Sequence, residues 1–74
     1  MKVKIYGTET CPYCVAAADL CADKNIDFEK IDLSLEPEKR VQISEENGNY
    51  PTIPMIFVDE KFIGGFTELQ AKVG

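Results

Sequence analysis

The chain has 74 residues, 45% of them hydrophobic and 28% charged, with thirteen acidic and eight basic side chains, a net charge of −5, three cysteines and no histidine. Lacking histidine, it cannot use Ser-His or Cys-His catalysis, an imidazole proton shuttle or a His-ligated metal, and its scattered acidic excess argues against a nucleic-acid partner. An odd number of cysteines, two of them three positions apart, excludes a secreted-type disulfide framework and points to redox or metal chemistry.

Lys2 to Tyr6 alternates charged and apolar residues before Gly7 and is predicted as a short strand. Because the alternation begins at the second residue, neither a signal sequence nor an apolar span of about 18 residues is expected there, and the expected location is the cytoplasm with no membrane partner. After the Thr8-Glu9-Thr10 loop, Pro12 suits a first helical turn, and a helix is predicted from Pro12 to Lys24, with Ala17, Leu20 and Cys21 on its apolar face and Asn25 as its stop. Ile26 to Leu33 alternates again, with a phase slip near Glu29 and Lys30, and reads as the second strand. Ser34 is the expected cap of a second helix over Glu36 to Glu46, with Pro37 in the first turn, Val41 as its apolar residue and Asn47-Gly48 as its end.

Met55 to Val58 is a continuous apolar run, the pattern of a strand buried on both faces. Asp59-Glu60 turns the chain, Lys61 to Ile63 returns it as an edge strand, Gly64-Gly65 breaks it, and a short last helix runs from Thr67 to about Lys72. The order is β-α-β-α-β-β-α. A helical crossover makes the first two strands parallel, and a two-residue turn makes the last two antiparallel. The expected fold class is therefore α/β: one domain over residues 1–74, a four-stranded mixed sheet flanked by helices.

The chemistry lies at Cys11-Pro12-Tyr13-Cys14, where a strand gives way to a helix. Unpaired N–H groups and the positive end of the helix dipole favour a thiolate there, which makes Cys11 the expected nucleophile. Cys14, one turn inside, is placed to attack a mixed disulfide on Cys11 and is the expected resolving thiol. Tyr13 projects an amphipathic ring beside the sulfur. A zinc site would need two more ligands, and the chain has only Cys21 and no histidine to offer, so no metal is expected. Cys21 lies on the apolar face with Ala17 and Leu20 and reads as a buried small hydrophobe.

Cys11-Pro12-Tyr13-Cys14 after Lys4-Ile5-Tyr6, Thr52-Ile53-Pro54 before Met55-Ile56-Phe57-Val58, and Ile63-Gly64-Gly65 before the last helix together resemble a dithiol glutaredoxin over essentially the whole chain. The resemblance implies a thioredoxin-like fold, a cis peptide at Ile53-Pro54, and glutathione as reductant with no permanently bound cofactor. It implies a thiol-disulfide oxidoreductase that reduces protein disulfides and glutathione mixed disulfides, as a monomer, with ribonucleotide reductase a typical partner. Two other readings are a ribonucleotide-reductase redoxin reduced by thioredoxin reductase, and a module binding a 2Fe-2S cluster through Cys11 and glutathione.

Carried over by residue, the resemblance puts the Ile53 backbone, flanked by Thr52 and Pro54, against the cysteinyl unit of glutathione by strand addition. Tyr13 lies beside it, and Gly65, Phe66, Thr67 and Glu68 take the γ-glutamyl end, with Gly64 completing the glycine pair. Arg40 aligns with a position that meets the glycine carboxylate. The chain departs from many relatives in three places: Thr8 replaces a Lys, Glu68 replaces an Asp, and Asn49-Tyr50-Pro51 carries one residue more before Thr-x-Pro.

Overall fold

Strand alternation in β1 (Lys2–Gly7) separates two buried layers. Val3 and Ile5 are fully buried on one face, while Tyr6 turns to the other. The computed structural model describes residues Met1–Gly74. After β1 come α1 (Pro12–Asp23), β2 (Asp27–Asp32), α2 (Pro37–Glu46), β3 (Met55–Val58), β4 (Lys61–Gly64) and α3 (Phe66–Val73), the order expected from the sequence. The four strands lie in the order β2-β1-β3-β4. β1 pairs with β2 in parallel and with β3 antiparallel, and β3 pairs antiparallel with β4.

One face of the sheet packs Val3, Ile5, Ile56 and Val58 against Ala17 and Cys21 of α1 and Leu69 of α3. The opposite face packs Leu33 and Met55 against Ile43 of α2, extended by Tyr6, Ile31, Tyr50, Ile53, Phe57 and Phe62. Edge-to-face contacts join Tyr6 to Phe57 (5.5 Å), Phe57 to Phe62 (5.4 Å) and Phe62 to Tyr50 (5.1 Å), an aromatic row across the strands. No helix is long and apolar enough to cross a membrane.

Turn chemistry sets the connections. Asn25 adopts φ 55°, the left-handed conformation that ends a helix, and Asp59 and Glu60 both have positive φ (49° and 70°), as a tight two-residue hairpin requires. Asp59 also ties the hairpin to β1, accepting the Lys2 N–H on its carboxylate (2.8 Å) and donating its own N–H to the Lys2 carbonyl (2.9 Å).

Three sequence expectations need correction. Ser34 does not cap α2: its N–H donates to Asp32 Oδ1 (2.8 Å) in a turn closing β2, and the N-cap is Glu36, with Pro37 fixing the first turn. Val41 is 55% exposed, and Ile43 is the α2 residue that reaches the core, because a helix begun at Pro37 turns that position toward Leu33 and Met55. The last helix starts at Phe66 rather than Thr67, since Gly65 is its N-cap. The Ile53-Pro54 peptide is cis.

Candidate active site

Cys11 is the N-cap of α1, in extended conformation (φ −84°, ψ 116°), with Pro12 following it in the first turn. Its N–H is held by the Thr8 carbonyl (3.4 Å), and its sulfur accepts the Cys14 N–H (3.4 Å), one of the donors a helix start leaves unpaired. Across the site, Cys11 Sγ lies 3.8 Å from the Ile53 carbonyl oxygen, which joins the dithiol to the Thr52-Ile53-Pro54 segment 42 residues away in sequence. Cys11 is partly exposed and Cys14 fully buried, and both are free thiols.

Cys14 is buried against backbone. A Cβ on Gly7 would overlap Cys14 Sγ, so the glycine ending β1 is the floor on which the second sulfur rests. Burial, and then the hydrogen bond with Cys11, push the Cys14 thiol from 9.0 up to about 11. Cys21, in the core beneath, is also raised by burial.

A groove of about 380 Å³ opens beside Cys11, lined by Tyr13, Tyr50, Thr52, Ile53, Pro54, Gly65, Phe66, Thr67 and Glu68. Eight of these nine are residues singled out in the sequence; one wall is the segment before β3 and the other the start of α3. The Tyr13 and Phe66 rings stand 5.9 Å apart and close one side. Glu68 caps α3 by accepting the Gly65 N–H (2.8 Å), and its carboxylate occupies the space that a Cβ on Gly64 would need. Gly64, at φ 121°, also holds a backbone conformation that side-chain-bearing residues rarely adopt.

Arg40 does not line this groove. It lies in an adjoining hollow with Val41, Ser44, Glu45, Asn49, Tyr50, Pro51 and Met55, and Tyr50 is shared by the two. Tyr50 is the groove residue to which sequence reasoning assigned no role, since no motif contains it; the extra residue before Thr-x-Pro was its only sign. Gly7 likewise reads in the sequence only as a strand breaker, and its contact with Cys14 arises only in the fold.

A glutaredoxin family model matches residues 3–63. Glutaredoxin 3 of Escherichia coli is 38% identical over 69 residues, covering 93% of this chain and 82% of that protein. The structure of reduced Escherichia coli glutaredoxin superposes with a TM-score of 0.81 at 33% identity, over 99% of this chain and 93% of that one. A buckwheat glutaredoxin–glutathione complex, 22% identical, shares the fold with a TM-score of 0.80, over 95% of this chain and 66% of that one. A two-thiol helix start, the strand order and these matches have one reading: the chain belongs to the glutaredoxin family and is a thiol-disulfide oxidoreductase.

Proposed function

We propose that the protein uses glutathione to reduce glutathione mixed disulfides and protein disulfides, with residues 1–74 acting as one glutaredoxin unit. The observation that carries this reading is the position of Cys11 Sγ, partly exposed at a helix N-terminus and 3.8 Å from the Ile53 carbonyl at the head of the groove. An extended peptide with a cysteine at its centre can run along Ile53 and present its sulfur to Cys11.

In the proposed reaction the Cys11 thiolate attacks the glutathionyl sulfur of a mixed disulfide. A Cys11–glutathione disulfide forms and the substrate leaves as its thiolate. A second glutathione thiolate attacks that bond, releasing glutathione disulfide and regenerating Cys11. With a protein disulfide, Cys11 bonds one substrate sulfur; Cys14 then attacks Cys11 Sγ, frees the substrate dithiol and leaves a Cys11–Cys14 disulfide for two glutathiones to reduce. Part of what holds the Cys14 thiol protonated is the neighbouring Cys11 itself. Once Cys11 is bonded to substrate its charge no longer opposes ionisation of Cys14, while burial, the larger cause, remains.

The γ-glutamyl end would lie against Gly65, Phe66, Thr67 and Glu68, and the glycine carboxylate would extend past Tyr50 toward Arg40 in the adjoining hollow. Protein substrates with exposed disulfides, ribonucleotide reductase among them, and action as a monomer follow from the same reading. The test is NADPH oxidation with glutathione and glutathione reductase, run beside the same assay with thioredoxin reductase. Turnover in the first and not in the second is expected; the reverse makes the protein a redoxin driven by thioredoxin reductase.

A further inference from the structure

Tyr50 joins the elements around the groove. Its N–H donates to the Ser44 carbonyl (3.3 Å), and its own carbonyl accepts the Ser44 hydroxyl, which fastens the loop to α2. Its ring packs edge-on against Phe62, at the end of the aromatic row. Its hydroxyl crosses the groove and donates to Glu68 Oε1 (3.1 Å), the oxygen that already takes the Gly65 N–H. A Cβ on Gly65 would come within 2.9 Å of that hydroxyl, so the second glycine of the pair leaves room for Tyr50. Burial and the Glu68 carboxylate raise the phenol above its ordinary value, and it remains a donor throughout the neutral range.

Two donors thus hold Oε1 of Glu68, and no protein donor reaches Oε2. A carboxylate pinned by one oxygen presents the other in a fixed direction. Free of that restraint, the side chain would spread over several rotamers and lose part of its attraction for a cation. We propose that Tyr50 is a positioning residue which, by holding Glu68 Oε1, aims Oε2 into the groove and makes the site select ligands that carry an ammonium group at the α3 end. The inference rests on the glutathione reading, because the γ-glutamyl unit carries such an ammonium. It gives Tyr50 the task of orienting the carboxylate that meets the amine, and no part in the chemistry at sulfur.

The experiment compares two substrates: the mixed disulfide of glutathione with a small thiol, and the same disulfide with a glutaryl group in place of γ-glutamyl, so that the ammonium is absent. Wild type, Tyr50→Phe, Glu68→Gln and the double variant are assayed on both. The wild type is expected to favour the ammonium-bearing substrate about tenfold in kcat/KM, the scale of one charge-assisted hydrogen bond. Tyr50→Phe keeps the ring on Phe62 and should cut that preference to about threefold, with KM rising more than kcat falls. Glu68→Gln should abolish the preference, and the double variant should lose no more than Glu68→Gln does. A Tyr50→Phe that loses activity equally on both substrates, or retains the full preference, overturns the positioning role, as does a wild type that turns over both substrates equally well; in each case the glutathione reading stands on the turnover itself. A wild type that turns over neither substrate overturns the glutathione reading and the proposal with it.

Discussion

Gly7 and Cys14 occupy one another's space: a side chain on the glycine would overlap the sulfur of the cysteine. The contact links the end of the central strand to the second thiol, seven residues away in sequence and one helical turn beyond the first. Gly7→Ala should push α1 outward or displace Cys14. Overpacking of this kind costs about 1–3 kcal/mol, to be read from the denaturation midpoint. It should also slow closure of the Cys11–Cys14 disulfide, to be followed by alkylation after a pulse of oxidant.

The two thiols should separate by reaction. Cys11→Ser is expected to abolish all activity, since no other sulfur lies at the helix start. Cys14→Ser is expected to keep the reduction of glutathione mixed disulfides, in which external glutathione resolves the intermediate, and to lose most reduction of protein disulfides. The check is parallel assays of the two substrate types. Equal loss of both in Cys14→Ser contradicts the assigned roles.

Raised thiols imply a pH dependence on the alkaline side. Cys14, moved from 9.0 to about 11, and Cys21, moved in the same direction, bind their protons more tightly folded than unfolded. The Cys14 contribution to stability is fully present below about pH 9 and is lost as pH rises toward 11, and Cys21 acts in the same direction. The urea midpoint of the reduced protein should therefore fall between pH 8 and pH 10.5, and fall less in Cys14→Ala. In the folded protein at pH 8, iodoacetamide should modify Cys11 well before either buried cysteine.

Charge around the groove should tune KM. Thr8 stands three residues before Cys11, with its hydroxyl 3.4 Å from that of Thr10. If glutathione binds as proposed, Thr8→Lys adds a cation near its site and is expected to lower the glutathione KM by up to about fivefold, the scale of an exposed ion pair. Arg40→Ala should raise that KM by a similar factor with little change in kcat, the pattern of binding shared by ground and transition states. An unchanged KM in Arg40→Ala confines the ligand to the first groove and leaves the hollow beyond Tyr50 out of the site.

Local rules made much of this protein legible. Pro12 after a strand and loop marked the start of α1, Asp59-Glu60 marked the hairpin, and the apolar run Met55 to Val58 marked an interior strand. α2 was less legible because its two aliphatic residues, Val41 and Ile43, stand two positions apart and cannot share one helical face, so their spacing does not show which of them is buried. Ser34 is not the cap because the helix begins later, where Pro37 sets φ, which leaves Glu36 as the N-cap and Ser34 in the turn held by Asp32.

What the sequence determined by itself is the set of elements, their order and the dithiol at a helix start, because strand alternation, proline placement and turn residues act within a few positions of one another. Tertiary structure alone decided what meets the dithiol. The Ile53 carbonyl reaches Cys11, Gly7 lies under Cys14, and Tyr50 spans to Glu68 from 18 residues away. These contacts depend on the strand order β2-β1-β3-β4 and on packing on both faces of the sheet. A side chain's pattern along the chain records which face it buries, but not which distant backbone group that face will bring within 3 or 4 Å.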